Sequence, residues 1–243
     1  ELAPDIPIHV STQANNINYR SAIKWYKMGA TRVVLAREMS FKEIAEFQKK
    51  IPEDLELEAF IHGAMCISYS GRCLLSNFMT GRDSNMGACA HPCRWNYKLV
   101  EETRPGEYMD VFENERGTFI FNSKDLCTIR HIPELVQSGI ASLKIEGRVK
   151  TSYYVATVVG AYRREIDRYC ADPENYVFNE AEYEELCKVS HRPYTTGFYF
   201  GKPDENSQVY TSSSYIRDYD LIGIVKDYDE KTGIATITQR NRF

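Results

Sequence analysis

Four cysteines within 28 residues, Cys66, Cys73, Cys89 and Cys93, are spaced C-x6-C-x15-C-x3-C, and Cys127 follows further on. Thiolates are the ligands that iron–sulfur clusters and structural zinc require, and four of them complete either site. Zinc ribbons favour two short knuckles. Only the Cys89/Cys93 pair has that form, and the wide gap from Cys66 to Cys73 suits a larger cluster better. Gly63, Gly71, Gly81 and Gly87 supply the tight turns that bring scattered thiols together. Four thiols in a polar stretch are poorly explained as small buried hydrophobes. Cys170 and Cys187, set in helical patterns, are well explained that way. A rival chemistry is a single reactive thiol, because Cys66 lies four residues from His62 and a Cys–His pair activates a nucleophile. No G-x-S-x-G elbow and no H-E-x-x-H helix occurs in the sequence.

Other polar residues sit where strands end. Ser142, Lys144 and Glu146 share one face of an apolar run, and Arg148 follows. Parallel strands are normally apolar on both faces, so Lys144 and Glu146 read as active-site groups, or else as an ion pair filling a barrel mouth. Arg37 ends an earlier strand in the same way, and a guanidinium there suits a carboxylate or phosphate. His9, Ser11 and Gln13 share a face of the first strand, and His62 closes the third. Arg148, Lys150, Arg163, Arg164 and Arg168, with Lys188 and Arg192 beyond, interleave with tyrosines. That is either an RNA-stacking stripe or a solvated helix face.

The elements that position these residues follow from periodicity. Ile6–Val10, Arg32–Ala36 and Leu57–Ile61 are centred on Ile8, Val34 and Phe60 at an even interval, with helical patterns between them. Ser40 and Glu43 form a capping box with a Met39–Ile44 staple, and Gly29 ends the preceding helix. A fourth strand, Ala141–Gly147, comes so late that the third βα connection holds an insertion of roughly 60 residues, far above the usual length. Before it lies a helix with Pro133 in its first turn and Gly139 at its end. After it comes a long helix near Thr151–Cys170, then one capped at Asn179 by Glu182, then a hairpin of Leu221–Val225 and Ile234–Thr238.

The chain of 243 residues is 43% hydrophobic, with net charge −4. That balance argues against coating nucleic acid by bulk charge, without excluding a local basic groove. No apolar run reaches a membrane span, so no membrane association is expected. Seven cysteines, an odd number, point to a reducing, cytoplasmic setting.

The stretch EAFIHGAMCISYSGRCLLS (Glu58–Ser76) resembles the signature of the collagenase-like peptidase family, peptidase family U-32. The matching positions are Glu58, Phe60, Gly63, Ala64, Met65, Cys66, Gly71, Cys73, Leu75 and Ser76. The similarity runs on through Arg104–Leu126, Ser142–Arg148 and His191–Phe198. It implies a TIM-like barrel followed by a small β domain. It also implies either a peptidase or, in the branch these segments most resemble, hydroxylation of the tRNA wobble uridine at carbon 5. That branch uses prephenate as co-substrate, carries an iron–sulfur (4Fe–4S) cluster, and has tRNA and an accessory or paralogous subunit as partners. By the resemblance, Cys66, Cys73 and Cys89 are cluster ligands, with Cys93 or Cys127 as the fourth. Arg37 and Arg148 are then candidates for the dicarboxylate, and Lys144, Glu146 and His62 for catalysis.

The expected fold is α/β. Residues 1–150 form the C-terminal half of a TIM-like barrel that includes the Cys-rich insertion 63–122. Residues 151–214 form a helical extension, and 215–243 begin an incomplete small β domain. A half barrel has open edges, so the chain is expected to be truncated at both ends. The leading functional expectation is a tRNA hydroxylase. A peptidase using Cys66, and a zinc-stabilised RNA-binding module, are the alternatives.

Overall fold

The computed structural model describes residues 5–66, 68–70, 72–95, 99–100, 108–109, 123–202 and 215–241. Gly71 and most of Arg104–Leu126 fall outside these, as do large parts of the expected insertion. The described elements in chain order are β1 (Ile8–Val10), α1 (Tyr19–Lys27), β2 (Ala30–Val34), α2 (Phe41–Gln48), β3 (Glu56–Ala64) and α3 (Leu75–Thr80). Then come β4 (Leu99–Val100), β5 (Tyr108–Met109), β6 (Asp125–Cys127), α4 (Ile132–Gln137), β7 (Ser142–Ile145) and α5 (Ser152–Ala171). The last are α6 (Glu180–Lys188), β8 (Tyr194–Thr195), β9 (Gly223–Asp229) and β10 (Ile234–Gln239).

β1, β2, β3 and β7 are parallel and adjacent in that order, as the strand–helix alternation predicts. Val33, Leu57 and Ala59 pack with Ala22 of α1 and with Ile44 and Phe47 of α2. Each fully buried aliphatic side chain of this kind contributes about 1.5–3 kcal/mol. The Ser40–Glu43 capping box forms, and Gly139 ends α4 at φ +75. A second cluster joins Ile61, Ile132 and Leu135 to Tyr154, Val158 and Tyr162 of α5, with Ile166 packed against it. β9 and β10 pair antiparallel, as expected of the hairpin.

Two features depart from the sequence reading. The short β6 pairs antiparallel with the end of β3 and parallel with β8. Glu182 does not close a capping box on α6. Arg164 takes its carboxylate through two bonds of 2.8 and 2.6 Å, and Glu165 of α5 accepts the Asn179 N–H at 3.4 Å instead.

A register shift between Phe60 and His62 interrupts the β3–β7 ladder. Backbone carbonyls buried there need other donors. The Tyr199 hydroxyl donates to the Phe60 carbonyl at 2.6 Å, and the Tyr162 hydroxyl donates to that of Ile61 at 2.9 Å. Beyond the shift, the Glu146 N–H returns to the His62 carbonyl at 2.9 Å, fixing where the β7 end meets the β3 end.

Candidate functional site

The carboxyl ends of the four parallel strands open onto one cavity of about 80 Å³. Gln13 reaches it after β1, Arg37 after β2, Cys66 after β3 and Glu146 after β7. Cys73, Cys89 and Cys93 line it too, so all four closely spaced thiols face one space. Cys127 does not. It is buried in the second cluster, and burial pushes its thiol up to about 11, against a backbone N–H from Ile129 and the Tyr162 hydroxyl.

The cysteine loop is fastened from below. Ser70 donates through its N–H and hydroxyl to Glu38 at 2.7 and 3.0 Å, and its carbonyl accepts from Asn15 at 2.7 Å. Asn15 can do this because it sits in the left-handed region at φ 53, where asparagine is tolerated. The Ser84 hydroxyl donates to the Cys73 carbonyl at 2.6 Å, and the buried Ser76 hydroxyl accepts the Ala90 N–H at 3.0 Å. Donors also reach the sulfurs. The His91 N–H lies 3.3 Å from Cys89 Sγ. Although Cys66 is exposed at the rim, surrounding protein pushes its thiol upward, opposed by a Ser68 N–H and the Arg37 charge.

Arg37 and Glu146 meet inside the cavity at 3.6 Å. The Arg37 guanidinium carbon lies 3.5 Å from the centre of the Phe60 ring, a cation–π contact. Glu146 also accepts the Arg148 N–H at 2.9 Å. Gly63 explains how close these strand ends come. Its φ is +106, and a Cβ there would stand 2.4 Å from the Glu146 carbonyl oxygen.

Three assigned residues lie elsewhere. Lys144 does not partner Glu146. Its ammonium bonds Glu58 at 2.9 Å, because residues 58 and 144 sit on the same face of paired strands. Burial alone would raise the Glu58 carboxyl, but Lys144, the Ser142 hydroxyl and Arg32 hold it below the usual range. His62 is buried among Tyr154, Tyr162 and Tyr194, and no described hydrogen bond joins it to Cys66. Desolvation lowers its pKa to about 3, against the pull of Asp125, so it stays neutral. Arg148 is exposed outside the cavity, with its guanidinium 3.8 Å from where a Gly87 Cβ would stand.

The basic stripe is largely neutralised. Arg163 pairs with Asp167, Arg164 with Glu182, Arg168 with Glu165 and Lys188 with Glu185, while Arg192 is buried. Among the described residues, no group of three or more His, Cys, Asp or Glu is drawn together to hold a single metal ion, and no helix is long and apolar enough to cross a membrane. Sequence reasoning missed Asn15, Glu38, Ser70 and Ser84, which shape the loop; of the loop-shaping residues, Ser76 alone was marked, by its place in the family-like signature.

The model of peptidase family U32 matches residues 1–209. The chain is 47% identical, over its whole length, to 57% of tRNA hydroxylation protein P1 of Bacillus subtilis (strain 168). It is 37% identical, again over its whole length, to 61% of tRNA hydroxylation protein P of Escherichia coli (strain K12). A protein named collagenase from Porphyromonas gingivalis (strain ATCC BAA-308 / W83) is 34% identical over 81% of the chain and 48% of its own length. The chain thus spans less than two thirds of these curated relatives. No solved structure matches.

Proposed function

The chain belongs to peptidase family U32, and from that membership we propose that its protein hydroxylates tRNA, at carbon 5 of the wobble uridine, with prephenate as co-substrate. One observation carries the reading. Four thiols, an arginine and a glutamate converge on one cavity at the carboxyl ends of parallel strands, in a chain 47% identical to a protein named for tRNA hydroxylation. Barrel chemistry is found on that face. The four parallel strands read as the C-terminal half of a TIM-like barrel over 1–150, with 151–214 as its helical extension and 215–243 as the beginning of a small β domain.

The donor set fits a 4Fe–4S cluster held by Cys66, Cys73, Cys89 and Cys93, with backbone N–H groups aimed at the sulfurs of Cys66 and Cys89. The set also favours Cys93 over Cys127 as the fourth ligand. A cluster there supplies electron transfer or Lewis-acid chemistry.

The remaining roles fall to the chain's own groups. Arg37, packed on Phe60, is placed to meet a substrate carboxylate, and its 3.6 Å contact to Glu146 is long enough for a carboxylate to displace. Glu146 is then placed to orient a substrate hydroxyl or accept its proton. Arg148, at the rim, meets the second negative group. Lys144 and His62 have no place in this scheme. A peptidase acting through Cys66 finds no base in His62.

Anaerobic purification tests the reading. The protein should carry iron and acid-labile sulfide, with a broad band near about 400 nm, and Cys73→Ser should abolish all three. A colourless protein that binds zinc through the same cysteines would overturn it.

A further inference from the structure

The segment that lines the cysteine cavity through Cys73, Leu75, Ser84 and Cys93 also carries exposed side chains that the chemistry above leaves unused. Phe78 is 89% exposed on α3, and Leu74, one turn earlier, is 68% exposed. Trp95, Tyr69 and Met86 are exposed on the same segment. Exposed large apolar groups on a segment that lines a site are candidates for a contact surface. In α3 Leu75 lines the cavity and Ser76 is buried, whereas Phe78 is left to solvent.

The charge around these residues is positive. Residues 66–95 hold Arg72, Arg82 and Arg94 against one acid, Asp83, in a chain of net charge −4. Arg72 and Arg82 are exposed. Neither they nor Arg148 meets a carboxylate among the described residues. Arg130, Arg163 and Arg164 each have one.

We propose that Phe78 and Trp95, flanked by Arg72 and Arg82, form the surface that receives the unpaired bases of an RNA loop and delivers one base to the cavity. The inference rests on the tRNA reading and names the part of the protein that recognises the substrate. Aromatic faces stack on unpaired bases of any identity, and guanidinium groups stack on bases or pair with phosphates. A purely apolar protein partner would use the aromatics but would leave the arginines uncompensated. An enzyme acting on a base must also draw it out of its stack, so stacking side chains belong at the cavity mouth.

The test is binding of the full-length protein to a fluorescent anticodon stem–loop and to a duplex of the same stem, at several salt concentrations. Phe78→Ala and Trp95→Ala should each weaken stem–loop binding about tenfold and leave duplex binding unchanged. Arg82→Glu should lower the slope of log affinity against log salt by about one or more. Val177→Ala, at an exposed apolar residue between α5 and α6, is the control and should change nothing. Thermal unfolding of every variant should match the parent. If the parent binds and the aromatic variants bind equally well, the inference fails while the tRNA reading stands. Equal loss of stem–loop and duplex would show that the contact is not base stacking and would also overturn it. If the parent binds no tRNA, both fall together.

Discussion

Replacing Gly63 with alanine probes the joint between β3 and β7 on which the site depends. At φ +106 a side chain costs about 1–2 kcal/mol in backbone strain. The new Cβ would also lie 2.4 Å from the Glu146 carbonyl oxygen and 2.9 Å from Glu146 Cβ. Both are about 1 Å inside the optimum for non-bonded contact. The obstacle is backbone tied by the Glu146 N–H bond to His62, so the strand ends must part. Overpacking of this kind adds about 1–3 kcal/mol, giving a total of about 2–5 kcal/mol. Gly29→Ala separates the two contributions, because Gly29 has φ +97 but nothing within 4 Å of a Cβ. Urea unfolding followed by circular dichroism should show Gly63→Ala losing at least about 1 kcal/mol more than Gly29→Ala. The Gly63 variant should also lose tRNA modification as Glu146 moves from Arg37. Equal losses for the two variants would refute the close approach, and with it the argument that Gly63 sets the position of Glu146.

Other perturbations read separate parts of the account. His62 has a folded pKa of about 3, below its ordinary 6.5, so the unfolded chain takes up the proton first. Stability is therefore present above pH 6.5 and falls by about 1.4 kcal/mol per unit as the pH drops toward 3. Urea midpoints between pH 7 and 4.5 should show that slope, and His62→Phe should flatten it. A slope unchanged in the variant would assign it to other groups. Cys93→Ser should lower bound iron, whereas Cys127→Ala should leave iron in place and cost only stability; the reverse pattern would exchange the fourth ligand. Arg37→Ala and Arg148→Ala should each abolish modification at unchanged iron content. Iron lost in parallel would make their role structural.

The parallel strands were legible because β-branched runs recur between helix signals, and the Ser40–Glu43 box because both of its partners are local. Cys66, Cys73, Cys89 and Cys93 were legible because thiols in a polar stretch have few other uses. What escaped depends on distant residues. The Ser40 pattern recurs at Asn179, but there Arg164, on another helix, takes Glu182. Lys144 and Glu146 share a strand face, yet each is claimed by a residue far away in sequence, Glu58 and Arg37. In the basic stripe only Arg164 meets an acid of another helix, Glu182; Arg163, Arg168 and Lys188 meet acids three or four residues away on their own helices. β6 and β8 are three and two residues long, too short to carry a period.

The central claim is that this cysteine cavity hydroxylates tRNA. Its most direct test is nucleoside mass spectrometry of tRNA from a strain whose own tRNA hydroxylation genes have been deleted. Introducing this gene should restore the oxygen at carbon 5 of the wobble uridine, and the Cys73→Ser form, expressed to the same level, should not. A wobble uridine left unmodified by the intact gene, or modified equally by the Cys73→Ser form, would contradict the account.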